Sequence, residues 1–200
     1  MKDTDRCDCI VLAAGASRRM GRSKLYLPVG ERTLIETTVA AAGAAGGRVI
    51  VVHRAADGAL GELLGPKVEL VLNPDPDRGM ISSLREGLRR VSSSRFFFIP
   101  ADLPFVDPQT YRAMLATSCE GPLIPTFRGR RGHPVLMRAD LIPAIYALPE
   151  NEPLRSLIER CGPTLLEVED ECILVDIDTA DEYRDLVARF CPTCIPRAAE

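Results

Sequence analysis

Between residues 9 and 99 the sequence alternates short, continuously apolar runs with longer stretches of helical period. The runs are 9–13, 48–52, 68–72 and 95–99. Each has the length of a strand, and none alternates polar with apolar residues, so each has to be covered on both faces. Between them lie an alanine-rich helical stretch at 33–45, a shorter one at 56–64 and an amphipathic one at 81–91. The last places Ile81, Leu84, Leu88 and Val91 at spacings of three or four. Strands of this kind separated by helices form parallel sheets with helices on both sides. The expected architecture is α/β: a three-layer, Rossmann-like, doubly wound unit around a mostly parallel central sheet.

Beyond residue 105 the pattern is less regular. Proline opens a helix over 108–116, strand candidates at 122–127 and 133–137 flank a turn at 128–132, and helices follow near 139–147 and 154–160. Residues 165–168 and 172–175 suggest a final hairpin, and 180–189 a closing helix. Without repeats or linkers, residues 1–190 read as a single domain long enough for one core, with 191–200 as a tail. The 25 Lys and Arg against 28 Asp and Glu, a net charge of −3, supply no general attraction to nucleic acid or to an anionic membrane. No apolar run reaches the roughly 18 residues of a membrane span. The stretch 10–14 is short for a signal-peptide core and glycine interrupts it, so a soluble, cytoplasmic protein is expected. Seven cysteines, an odd number, then argue for reduced thiols. Cys7 and Cys9 with Cys191 and Cys194 could supply four thiolates to zinc if the termini met, although Cys-x-Cys is an unusual half of such a site.

The chemistry-bearing segments cluster after the apolar runs. The first is followed by Leu12, Ala13, Ala14, Gly15, Ala16, Ser17, Arg18, Arg19, Met20, Gly21, Arg22, Ser23 and Lys24. Ligands of open α/β sheets bind beyond the carboxyl ends of the strands. Gly15 and Gly21 permit sharp turns that bring N–H groups to phosphate oxygens, and the arginines and Lys24 add positive charge. The spacing fits neither the P-loop nor the dinucleotide fingerprint; the bland alternative is a basic surface loop. After the fourth run, Asp102 sits between Pro100 and Pro104, well placed for a hard cation such as Mg2+, which takes one or two carboxylates plus substrate phosphates. Asp107, before Pro108, has the position of an ordinary helix N-cap. After the third run, prolines hold 73–83 extended and Gly79 permits close backbone approach. Ser82 and Ser83 there also suit helix capping, and Asn73 a turn. Asp176 and Asp178 alternate at what reads as a strand end and so share a side, whereas Thr179 with Glu182 makes a capping box. Gly129, Arg130, Arg131, Gly132, His133 and Pro134 fit a flexible anion-binding loop beside Arg128. His133 is either an acid–base group or a structural histidine, and His53 only the latter.

The pattern Leu-x-Ala-Gly-x-x-x-Arg-Met-Gly-x-x-Lys over 12–24 resembles the signature loop of sugar-nucleotide and cofactor nucleotidyltransferases, which share a glycosyltransferase-A-like fold. The other motifs follow in that family's order up to Tyr183. The resemblance implies that Leu12, Ala13, Ala14, Gly15, Ser17 and Arg19 hold the nucleotide, with Lys24 on its phosphates as charge moves onto the leaving pyrophosphate. It implies a catalytic set of Arg19, Lys24 and Asp102, and Mg2+ held by Asp102 and Asp178. Gly79 and Ser83, with Asn73, would contact the base. The segment 129–134 resembles the Gly-x-x-Gly-x-Pro of molybdenum cofactor nucleotidyltransferases, which implies that Arg130, Arg131, His133 and Asp176 face a pterin acceptor. Residues 1–105 would then be the nucleotide half and 106–190 the acceptor half. Ala14, where the guanylyltransferase branch more often has glycine, points to the cytidylyltransferase branch.

The expected ligands are therefore CTP (or GTP) and molybdopterin cofactor, with a molybdenum hydroxylase as a transient docking partner. Two alternatives stand beside this one. The first is a guanylyltransferase on the same cofactor, or another nucleotidyltransferase on a small phosphorylated acceptor. The second is a noncatalytic cofactor carrier or insertion chaperone, against which the joint presence of Arg19, Lys24, Asp102 and Asp178 argues.

Overall fold

A computed structural model of the chain describes residues 6–15 and 23–191. After β1 (Cys7–Leu12), the strands β2 (Pro28–Val29) and β3 (Arg32–Thr33) make a small antiparallel pair ahead of α1 (Leu34–Ala42). Thr33 and Glu36 close the start of α1 in a reciprocal capping box. Then come β4 (Gly46–His53), α2 (Leu60–Leu64), β5 (Val68–Leu72), α3 (Met80–Leu88), β6 (Arg95–Pro100) and α4 (Pro108–Ala116). The remainder is β7 (Leu123–Phe127), β8 (Arg130–Arg131), β9 (Val135–Arg138), α5 (Ile142–Ala147), α6 (Leu154–Arg160), β10 (Thr164–Glu167) and α7 (Ala180–Phe190).

The main sheet has the order β10-β7-β9-β6-β1-β4-β5, with β8 paired to β7. Its strands are parallel except for β8 and for β9, which runs antiparallel to both β6 and β7. The double reversal around β9 restores direction, so β1, β4, β5, β6 and β7 all present their carboxyl ends on one side.

All six residues of β1 are buried, which accounts for its unbroken apolar character. Cys7, Cys9 and Val11 pack with Ile35, Phe97, Ile99 and Tyr111 on one face, and Ile10 and Leu12 with Leu84, Leu88, Phe96 and Phe98 on the other. Gly87 allows α3 to lie close to the sheet: a Cβ there would come within 2.6 Å of Ile10 Cγ2 and 2.9 Å of Val52 Cγ2. A smaller cluster of Val29, Leu34, Ile177 and Val187, with Phe105 and Tyr183 against it, joins α7 and its preceding segment to the β2–β3 pair. No helix among the described residues is long and apolar enough to cross a membrane.

Three expectations change. The final hairpin does not form. Residues 164–167 are a strand, but one pairing in parallel with β7, and Glu171–Leu174 is a 3-10 turn. The carboxylate of Asp170 accepts from Cys172 N–H, Asp107 N–H and Thr110 O–H, which bends the chain where a strand would continue. Cys7 and Cys9, one half of the expected thiolate set, are core residues of β1. Burial pushes the Cys7 thiol up to about 12, and the Cys9 thiol is also raised well above the usual range by its burial. Cys194 lies outside the described residues. Finally, Cys191 is disulfide-bonded, contrary to the expectation of a reduced thiol there.

At the amino end of β1 the buried carboxylate of Asp8 accepts from the N–H of Arg48 (3.1 Å), Ser92 (2.9 Å) and Ser93 (3.3 Å), and from the Arg48 guanidinium (3.2 Å). Burial alone would raise this carboxyl, but the guanidinium and N–H bonds outweigh it and hold the group below its ordinary value. A depressed folded-state pKa stabilises fully above the ordinary carboxylate range, and that stability is lost as pH falls through the depressed value. Asp8→Ala, which leaves those donors unpaired, is expected to cost about 2–4 kcal/mol at neutral pH. In urea unfolding the gap between variant and parent should close with acidification; a gap independent of pH would contradict this account.

Candidate active site

Lys24 begins a single 3-10 turn, Lys24–Tyr26, pinned by the buried side chains of Leu25 and Leu27. Its ammonium lies 2.7 Å from Asp102 Oδ2 and 3.2 Å from Asp178 Oδ1, and donates to the Ile177 carbonyl at 2.8 Å. These acceptors match the three N–H donors of an ammonium. The side chains of Lys24 and Asp102 are only 13% and 20% exposed, so their attraction acts in surroundings less polar than bulk water.

Asp102 is fixed by the strands that precede it. Ala101 N–H donates to the Leu12 carbonyl at 3.0 Å, and Ala13 N–H to the Val52 carbonyl at 2.8 Å. The Asp102 carbonyl in turn accepts from Ile177 N–H at 3.0 Å, and this bond brings Asp178 alongside. Residues 175–178 are irregular rather than a strand end, but Ile177 is buried between an exposed Asp176 and a half-buried Asp178. Partial loss of hydration pushes the Asp176 carboxyl up, and the like charges of Asp102 and Asp178 add to the shift. Among the described residues no group of three or more His, Cys, Asp and Glu forms a ready metal cage. What the site offers instead is a pair of carboxylates converging on one cationic group.

The loop after β5 is built on Asn73. Its buried side-chain N–H groups donate to the hydroxyls of Ser82 and Ser83, each at 2.9 Å, while its oxygen accepts from Asp75 N–H at 2.9 Å. Gly79 adopts φ +85°, a left-handed conformation that favours glycine, and has open space where a Cβ would project. Gly79 itself is the N-cap of α3 and no side chain caps that helix, so the serines brace the loop rather than cap it. Asn73 belongs to that internal brace, and Ser83 is buried.

The segment 128–134 is not a flexible loop. Arg128 (φ 50°) and Gly129 (φ 73°) form a tight two-residue turn between β7 and β8. Glu167 accepts from Arg128 N–H at 2.6 Å, and Gly132 N–H donates to the Pro125 carbonyl at 2.9 Å. Gly132 is required by close packing, since a Cβ would fall 2.4 Å from the Ile173 carbonyl oxygen. Arg130 and Arg131 are both exposed. Arg131 pairs with Glu159, and the Arg128 guanidinium lies over the Phe127 ring. His133 packs edge-on against Phe98, ring centroids 5.8 Å apart. Burial lowers its pKa to about 4 despite the opposing charge of Asp102, which favours the neutral imidazole near pH 7.

Residues 9–165 match the MobA-like NTP transferase domain. The chain belongs to this family. It is 27% identical over 185 residues to the molybdenum cofactor cytidylyltransferase of Escherichia coli K12, covering 92% of this chain and 96% of that protein. A probable molybdenum cofactor guanylyltransferase of Bacillus mycoides is 26% identical over 189 residues, covering 89% and 94%. A nucleotidyl transferase structure from Methanothermobacter thermautotroptrophicus superimposes with a TM-score of 0.82 at 27% identity, over 94% of this chain and 99% of that one. The fold is accordingly that of the glycosyltransferase-A-like nucleotidyltransferases.

Within this MobA-like domain, Leu12, Ala13, Ala14 and Gly15 lie at the carboxyl end of β1. Lys24, Asp102 and Asp178 meet beside them. Ser17 and Arg19 lie outside the described residues. Asn73, Gly79 and Ser83 form a separate loop on the β5 side of the sheet, and Arg130, Arg131 and His133 a hairpin on the β7 side. His53 Nδ1 lies 3.0 Å from the Arg54 carbonyl oxygen. Asp107 caps α4 through Gln109 N–H, and Thr179 with Glu182 caps α7 as a reciprocal box. Two groups escaped the sequence reading. The Ile177 carbonyl is a backbone atom with no residue-type signal. Asp57, whose carboxylate accepts from Ser23 O–H at 3.2 Å, lies inside what reads as an unremarkable helical stretch.

Proposed function

We propose that the protein transfers CMP from CTP to the phosphate of molybdenum–molybdopterin cofactor and releases pyrophosphate. The observation that carries this reading is the convergence of Lys24, Asp102 and Asp178 at the carboxyl ends of β1 and β6. The E. coli cytidylyltransferase relative and Ala14 in the signature segment support the choice of CTP.

Asp102 and Asp178 fit Mg2+, because the donor set is all oxygen and both carboxylates already reach a single cationic group. When bound, the ion supplies charge neutralisation and orientation of phosphate oxygens. The chain's own groups do the rest. No protein nucleophile is needed: the acceptor's phosphate oxygen attacks the α-phosphorus in line, the bond to the β-phosphate breaks, and the electron pair leaves with pyrophosphate. Lys24 and Arg19 neutralise charge on the departing phosphates. On this reading Gly79, in the loop braced by Asn73, is offered to the base, and Arg130, exposed on the β7–β8 hairpin, to the acceptor phosphate.

Incubation with each of the four nucleoside triphosphates, Mg2+ and molybdopterin cofactor, followed by mass analysis, tests the proposal. The cytosine dinucleotide form of the cofactor and pyrophosphate are expected from CTP. The guanine form as main product would overturn the nucleotide choice and favour the activity that the B. mycoides relative is named for. Binding of the cofactor with no adduct from any nucleotide would overturn catalysis in favour of a carrier.

A further inference from the structure

Asp57 ends the 3-10 turn Ala55–Asp57, just beyond the carboxyl end of β4, and is only 4% exposed. One carboxylate oxygen accepts from Ser23 O–H; the other, Oδ2, is buried and has no hydrogen-bond partner among the described residues. Its charge is also felt by Tyr26, at the far end of the turn that carries Lys24. Arg54 and His53 are the cationic or titratable neighbours that act on it, and burial outweighs them and raises its carboxyl. Ser23 is the residue before Lys24. Its hydroxyl, committed to Asp57, makes no capping bond to the 3-10 turn that it precedes.

A buried carboxyl with one orphaned oxygen destabilises a fold. A role limited to stability does not explain it, whereas its grip on Ser23 does. We propose that Asp57 is a positioning residue: through Ser23 it holds the Lys24–Tyr26 turn so that the Lys24 ammonium stays aimed between Asp102 and Asp178. This inference rests on the assignment of Lys24 to the nucleotide phosphates, but its structural content is testable without turnover.

The test uses the full chain and amine acetylation read by peptide mass analysis, with exposed Lys67 as internal control. Asp57→Leu removes both the acceptor and the orphaned oxygen; Asp57→Asn keeps an acceptor; Ser23→Ala removes the donor. Without Asp57's hold, Lys24 should be acetylated roughly tenfold faster in Asp57→Leu and in Ser23→Ala, the loss expected from one hydrogen bond. Asp57→Asn should label at the parent rate, and Lys67 should not change in any variant. The thermal midpoint of Asp57→Leu should equal or exceed that of the parent, opposite in sign to a structural role. Where nucleotidyl transfer is measurable, kcat should fall in Asp57→Leu more than KM for the nucleotide rises, with recovery in Asp57→Asn. Unchanged Lys24 labelling in Asp57→Leu and Ser23→Ala would overturn the proposal, as would a lowered midpoint with parent-like labelling. Absence of turnover in the parent itself would count against the assigned reaction and leave the labelling result to decide this one.

Discussion

Lys24→Met is expected to lower turnover by roughly a hundred- to a thousandfold, the range found on removing one preorganised charge-stabilising group from an active site. Methionine keeps most of the aliphatic stem and its contacts, so the far-ultraviolet circular dichroism spectrum should match that of the parent. The loss should fall on kcat more than on KM, because the charge it answers develops as pyrophosphate departs. The ammonium also has a second effect, since it lies between Asp102 and Asp178 in the free protein. Removing it should tighten Mn2+ binding to the nucleotide-free protein, measured by electron paramagnetic resonance titration. Turnover within tenfold of the parent would contradict the role given to Lys24, and weaker Mn2+ binding would contradict the arrangement of the two carboxylates.

Asp102→Asn is the complementary experiment and should be as severe, about two to three orders of magnitude in kcat. Asparagine preserves shape and one oxygen able to accept from Lys24, so the contacts of Leu12, Ala101 and Ile177 around it stay in place. What disappears is one of the two negative charges facing the ammonium. Mn2+ titration should then show weakened binding both with and without CTP. Asp176→Asn provides the contrast. Its carboxylate is at the rim and makes no bond to Lys24 among the contacts described, so a loss of less than about tenfold is expected. Equal losses at positions 102 and 176 would show that the pairing with Lys24 does not mark the working carboxylates.

Much of this arrangement could be read before any coordinates. The unbroken apolar character of 9–13 reflects burial on two faces, and the spacing of Ile81, Leu84 and Leu88 reflects the face of α3 that covers the sheet. Local chemistry was equally legible: Thr179 with Glu182 and Asp107 with Pro108 cap their helices because those bonds span only a few residues. The failures share a physical origin too. Residues 172–175 have strand composition, but Asp170 bonds three groups, two of them from a distant helix start, and turns the chain. Arg131 looks available for an anion, yet Glu159 reaches it from α6. The β7–β8 turn adopts left-handed backbone at Arg128, a residue type that gives no warning of it. The resemblance favours Asp178 over Asp176, and in the fold Lys24 bonds both the Asp178 carboxylate and the Ile177 carbonyl beside it, an arrangement that residue types do not reveal.

The contacts made by Lys24 span 78 residues to Asp102 and 154 to Asp178. Loop closure over such separations carries a large entropic cost before any contact forms, so these bonds follow the sheet rather than guide it. A ribosome-bound chain that has emerged only through β6 holds β1, β4, β5 and β6 but lacks all three groups around the ammonium. The cluster around Lys24 is therefore complete only once the C-terminal segment is synthesised and docked. Amide exchange at Ile177, whose N–H binds the Asp102 carbonyl, should report that docking separately from unfolding of the sheet.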